Sequence, residues 1–319
     1  MLLVSFAVAL FVGAYTYATA NPKPEYIPIA VVGEGLPDAQ EVPLITDLEV
    51  ALGSSLNVRH TPDRATAEHE LSQQNVFGVV EVDEANHEMA LQISSASGQA
   101  VATVLTQAAP PVAAKAGYRV TVTDAHPLQK GDPHGLTIFY MTIAAVVVGF
   151  VGAIQLMGHA SALRLWERIG FTAGYALLGG LFVTITVDRI VGTLDLPFFE
   201  SWGIVAFTMF TCGMVFTMFN SLFGGWAILP TWGVMILLGN PTSGGSVAWP
   251  LLPRILARIG GWLPPGASVD ALHTAVYFPA DQHLAPFVVL AVWSALGMSV
   301  FLWNQRRKAR APRIPTAMG

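Results

Sequence analysis

The chain has 319 residues, of which 53% are hydrophobic and only 12% charged, and its mean hydropathy of +0.54 excludes a soluble globule in favour of a membrane protein. The formal net charge of −5 hides an asymmetry: residues 21–135 hold 15 acidic and 6 basic side chains, whereas Arg306, Arg307, Lys308, Arg310 and Arg313 close the chain with no acid among them. Cys212 is the only cysteine, which excludes an intrachain disulfide and a cysteine-based metal site and leaves a small packing residue in an apolar span.

Residues 1–20 form the first predicted span. Met1 to Ala18 is almost wholly apolar and just long enough to cross a bilayer. Ala18-Thr19-Ala20 has the form of a signal-peptidase site, but no basic residue precedes Lys23, so a retained anchor is the favoured reading. A start upstream of Met1 is the other explanation for the missing basic segment.

Residues 21–135 read as a small α/β domain inserted between the first and second spans. Tyr26 to Val32 is β-rich, and Pro43 to Leu52 is a helix with proline in its first turn, where the missing N–H costs nothing. Ala65 to Gln74 is a second helix. Val76 to Val82 and Glu88 to Ile93 make a hairpin across Asp83 to His87. An alanine-rich helix, Gln99 to Ala116, is expected to be interrupted at Pro110-Pro111, and Tyr118 to Val122 is a last strand.

Residues 136–303 are the membrane region. Leu136 to Leu156, Ile169 to Val187, Trp202 to Leu222 and Leu284 to Trp303 are each long enough to span. Phe223 to Leu238 is short and needs a turn within Asn220 to Gly225; counting it gives six transmembrane helices in all. The basic tail (304–319) and the loop Met157 to Arg168, with Arg164 and Arg168, are expected in the cytoplasm, against which Arg254 and Arg258 weigh less. Six spans then place both termini in the cytoplasm and the acidic domain outside. The fold class is thus an α-helical, multi-pass cell-membrane protein with an extracytoplasmic α/β domain between spans one and two. Small residues at helical spacing (Ala145, Gly149, Ala153; Gly170, Gly174; Ala291, Ala295, Ser299) suit close helix contacts within the bundle, or a homodimer. Trp166, Trp202, Trp249, Trp262 and Trp303 fall near the expected interfaces.

Between the last two spans, residues 239–283 cannot cross a bilayer, because their prolines and glycines would strand backbone polar groups in lipid. They are read as an outer interfacial cap. Leu252, Ile255, Leu256 and Ile259 share one helical face, with Arg254 and Arg258 on the other. Gly260-Gly261 and Pro264-Pro265 are expected to end this helix, and Ser268 to N-cap a second, with Asp270 in its first turn.

The spans carry no Asp, Glu, Lys, Arg or His at mid-membrane, so a proton relay has no obvious residues. There is no phosphate-binding Gly-x-x-x-x-Gly-Lys-Ser/Thr, His69-Glu70 lacks the second histidine of a zinc protease, and Gly-x-Ser-x-Gly does not occur. An enzyme is not expected, and neither a cofactor nor a nucleic-acid partner. His134, His273 and His283 are placed near the outer surface, either meeting at a metal or proton site or scattered, the commoner case. Thr208 and Thr211 share a face with Cys212, where they either line a cavity or bond to carbonyls of their own helix.

Several stretches together resemble the YhgE/Pip-like membrane proteins. They are a first span leading into Pro-x-x-Ile-Pro-Ile-Ala-Val-Val-Gly (Pro24 to Gly33), Val122 to Leu128, Asp132-Pro-His-Gly135, the Gly-Asn-Pro-Thr-Ser-Gly-Gly run from Gly239, Leu-Pro-Pro-Gly at Leu263 and Tyr277-Phe278. That group is similar to the permease subunits of type-2 ABC exporters. The resemblance implies a six-span permease fold with a large outer domain between spans one and two, and it assigns no functional residue. The leading functional reading is a permease exporting a hydrophobic or amphipathic compound, with energy from a separate ATPase or another partner. Leu163, Leu165 and Trp166 in the short loop are the candidate docking contacts for that ATPase. The alternative is a non-transporting receptor or envelope scaffold acting through the acidic domain.

Overall fold

The computed structural model describes residues 2–19, 26–32, 43–53, 56–159 and 163–310. Ala20, Pro24, Gly33, Arg313 and part of the loop after Met157 lie outside the described residues.

The α/β domain is a five-stranded sheet in the order β2-β1-β3-β4-β5, where β1 is Ile27–Val32, β2 Leu56–Thr61, β3 Gly78–Asp83, β4 Glu88–Ile93 and β5 Arg119–Asp124. The β3–β4 pair is the antiparallel hairpin expected from sequence, and the other three pairs are parallel. Strand alternation separates two faces. Ile27, Ile29 and Val31 join the core under α2 (Pro43–Leu52) and α4 (Gln99–Lys115), while Ala30 packs with Ala67 and Leu71 of α3 (Arg64–Ser72) on the other face.

Two local readings change. Strand β2 was missing from the sequence reading: as an edge strand it buries only its end residues Leu56 and Thr61, so its Asn, Arg and His positions erase the apolar alternation. Helix α4 runs unbroken through Pro110 and Pro111. Both prolines face solvent, so the carbonyls they leave without a helical partner meet water, and Ala109, Val112 and Ala113 hold the opposite face in the core.

Among the described residues, four helices are long and apolar enough to cross a membrane: α5 (Thr137–His159), α6 (Leu165–Ile185, continued in wide turns to Val191), α7 (Phe198–Phe223) and α11 (Ala285–Arg310). Helix α7 is the hub, packed against α5, α6 and α11. Gly149 explains one of these approaches: a Cβ there would lie 2.6 Å from the Met209 carbonyl of α7. Gly170 and Gly174 have open space before them. Helix α1 (Leu2–Thr19) lies against the segment after α7, with Phe11 centred 6.3 Å from Trp232. That segment turns at Gly224 (φ +58°) and forms α8 (Ile228–Trp232), extended to Gly239. Its twelve residues rise about 18 Å, short of a hydrocarbon core of about 30 Å.

The bundle has two chemically different ends. At one, Gln129, in the link from β5 to α5, exchanges hydrogen bonds with Asp195 of the α6–α7 loop (3.1 and 2.7 Å), beneath the acidic domain. At the other, the Asn304 side chain donates to the Ser221 carbonyl, bringing Arg306, Arg307 and Lys308 to the end where α6 starts at Arg164 and Arg168.

Candidate functional site

Between the α/β domain and the membrane helices lies a cleft of about 540 Å³. Four stretches build it: Gln74 and Phe77 ahead of β3, the turn from Ser95 into α4, the approach to α5 around His134, and the 239–283 segment.

Local chemistry fixes each wall. Ser95 is anchored by Asp124 at the end of β5, which accepts from its N–H (3.1 Å) and its hydroxyl (2.5 Å). Asp132 caps α5 by accepting from the Leu136 and Thr137 amides (3.0 and 2.9 Å), and Gly135 at φ +66° lets the chain turn so that His134 faces the cleft. The glycines of the 239–283 segment are there for close approach. A Cβ on Gly245 would lie 2.9 Å from the Phe139 ring, one on Gly260 would run into the Thr242 carbonyl, and one on Gly266 into the Gly260 carbonyl. Gly244 adopts φ +80°, a left-handed turn.

This segment contains two helices, α9 (Arg254–Gly260) and α10 (Pro264–Tyr277). Pro264 and Pro265 occupy the first turn of α10 after Leu263, where proline is favoured, so Ser268 is not an N-cap but an interior residue with no exposed surface. Its hydroxyl meets Thr208 of α7 at 2.9 Å and Thr142 of α5 at 3.3 Å. One face of α10, with Ala271, Leu272 and Ala275, is thereby sunk into the bundle core. Gly266, Val269, Asp270 and His273, spaced i, i+3, i+4 and i+7, line the cleft.

His134, His273 and His283 all border this one cleft, a juxtaposition that spacing could not disclose. Among the described residues no three His, Cys, Asp or Glu side chains are grouped to hold a metal ion. Burial lowers the His273 pKa to about 4, opposed by a hydrogen bond to the Ala96 backbone that favours the charged ring. Burial raises the Asp270 pKa, with His283 pulling it the other way. The apolar lining includes Phe77 and Trp249, which meet edge-on at 5.6 Å. Leu251 continues the contact into the α/β core, so the 239–283 segment is wedged between domain and bundle.

The other candidate residues fall elsewhere. Leu252 is buried, Leu256 half-buried, and Ile255 (73%) and Ile259 (40%) are exposed, as is Trp262 (75%), so the expected apolar face is split, with Leu252 held in the protein and Ile255 and Ile259 on the surface. Arg254 stacks over the Tyr26 ring at 4.0 Å, and Arg258 is exposed. Thr208 and Thr211 have no exposed surface, donate to the Ile204 and Phe207 carbonyls of their own helix, and reach Ser268 and Ser294 (2.8 Å) on neighbouring helices. Leu163 and Leu165 are half-buried and Trp166 is 65% exposed at the start of α6, where the Arg164 amide donates to Glu167 at 2.7 Å. The turn from Ser95 to Ala100 and Gln74 were not anticipated as site residues. Their one sequence signal is the Ser-Ser-Ala-Ser-Gly run, a common turn composition.

No family model, curated protein or solved structure matches this chain.

Proposed function

We propose that the protein is the membrane permease of an exporter of type-2 ABC kind, with six spans, both termini cytoplasmic, the α/β domain extracytoplasmic and ATP hydrolysed by a separate subunit. The observation that carries this reading is α10. It does not cross the bundle but is set into it by Ser268, against Thr142 and Thr208, directly beneath the cleft. A helix so placed closes a route between α5, α7 and α11, and the cleft is the vestibule into which that route opens. A receptor or scaffold acting through the acidic domain has no use for such a plug. The resemblance to the YhgE/Pip-like proteins supports the same assignment, as does the basic character of the bundle end farthest from the acidic domain.

The chain lacks a phosphate-binding loop, so energy has to enter through a contact, for which Trp166, exposed at the basic end beside the half-buried Leu163 and Leu165, is the candidate element. Purification of the tagged chain from its own cells in mild detergent is expected to bring down an ATPase whose hydrolysis responds to the permease. Trp166→Ala should lose that subunit while retaining folded yield. Absence of any ATPase from the wild-type preparation, with the chain intact and monodisperse, overturns the exporter reading.

A further inference from the structure

The charge pattern and shape of the cleft deepen the permease reading, on which this inference rests, by naming a class of compound. We propose that the cleft binds an amphipathic amine, its ammonium group against Asp270 and its apolar body against Phe77, Phe139 and Trp249.

The volume, about 540 Å³, falls within the range of pockets that enclose small organic ligands. Among the described residues, Asp270 is the only acidic one in the lining, and no lysine or arginine lines it. The remaining titratable groups are the imidazoles of His134, His273 and His283. Arg254 is held over the Tyr26 ring and Arg258 projects from the exposed side of α9, so neither guanidinium borders the cleft. An anionic head would therefore meet a carboxyl group with no permanent cation to offset it, whereas an ammonium would meet the one group able to pair with it. Burial raises the Asp270 pKa, and an ammonium beside it would act the other way by favouring the carboxylate.

Three further features favour the same ligand. Three aromatic side chains face the cleft, and ring faces attract ammonium as well as apolar groups. The excess of acidic over basic residues in 21–135, 15 against 6, gives this stretch a net negative charge, whose field favours cations over anions. Gln74, held at φ +59°, presents a buried amide nitrogen with no partner at the same lining, a donor suited to a hydroxyl or carbonyl on the ligand body.

The test uses the purified full-length chain in nanodiscs of zwitterionic lipid. Equilibrium dialysis compares 3-(naphthyl)propylamine with the alcohol and the carboxylic acid of the same skeleton, after subtraction of empty nanodiscs. The amine is expected to bind saturably, with the alcohol and the acid about tenfold weaker or more. Asp270→Asn should reduce the amine to the level of the alcohol without changing the alcohol, and Asp270→Glu should retain the preference. Ala100→Trp, at the exposed mouth, should exclude all three. Equal binding of acid and amine, unchanged amine binding in Asp270→Asn, or no saturable binding of the amine overturns the assignment. Loss of the amine preference beside an intact ATPase partnership overturns this inference alone. Amine binding with no ATPase partner overturns the exporter reading and leaves the cleft a ligand site of a receptor.

Discussion

Acidification should loosen the seam between the α/β domain and α10, and His273 is the group through which it acts. The imidazole bonds to the Ala96 backbone and packs against the Tyr277 and Phe278 rings, with centroids at 5.3 and 5.9 Å. Burial takes its pKa from 6.5 to about 4, so the fold favours the neutral ring. Because the folded pKa lies below the unfolded one, this contribution is complete above about pH 6.5, declines as pH falls towards about 4, and is level below that. A difference of about 2.5 units at about 1.4 kcal/mol per unit gives about 3 kcal/mol as a ceiling. The edge of the ring that meets the cleft lowers it further.

Asp270, one turn earlier on α10, works in the opposite sense. Its raised pKa means that the fold takes up its proton first, which stabilises on acidification. His134 and His283 share the cleft, and His126 lies across the Phe278 ring at 4.9 Å. The comparison is therefore between wild type and His273→Gln, in which a side-chain amide keeps a donor for the Ala96 backbone and does not titrate. Thermal unfolding of the purified protein, from about pH 7.5 to about pH 4, should show a steeper loss of Tm in the wild type, by several degrees. Parallel curves for the two proteins would refute the assignment of this pH dependence to His273.

Other outcomes follow from the same geometry. Gly260→Val should abolish folded yield in fluorescence-detected size exclusion, because its Cβ meets the Thr242 carbonyl, whereas Gly261→Ala, with open space around it, should be neutral or slightly stabilising. Leu252→Ala should cost about 2–5 kcal/mol in an unfolding titration, while Ile255→Ala, at an exposed position, should leave folding unchanged and weaken headgroup attachment of α9. A double-mutant cycle of Thr208→Val with Ser268→Ala should return a coupling of about 0.6 kcal/mol and no more than about 1.7; zero coupling would mean that the 2.9 Å contact does not hold α10 in place. In intact cells an impermeant thiol reagent should modify Val50→Cys and spare Arg306→Cys, against a background in which Cys212 is fully buried, and the reverse pattern would invert the topology.

Much of the architecture was legible because it is written in short-range chemistry. Apolar runs such as 137–158 have one stable use, and the β3–β4 hairpin announces itself through two β-rich runs around a polar turn. The charge difference between residues 21–135 and the tail is likewise a property of composition, and the structure puts these two regions at opposite ends of the bundle. Where the sequence reading went astray, a long-range contact had overruled a local preference. Pro110-Pro111 breaks a helix in isolation but not one whose other face is held in a core. Ser268 suits a cap until Pro264-Pro265 begin the helix a turn earlier and carry it into the bundle.

The amino-acid sequence by itself determined a membrane protein with an inserted, acidic α/β domain and a segment between the last helices that cannot span. Period, length and charge are local quantities and need no partner to be read. Only the tertiary structure decided that this segment is a wedge, with one face of α10 in the bundle and the other lining a cleft. It alone brought Asp270, His134 and His283 to one cleft with Phe77 and Gln74. These residues lie up to some two hundred positions apart, and what joins them is glycine-permitted close packing of backbone on backbone, a property of shape that no run of neighbouring residues encodes.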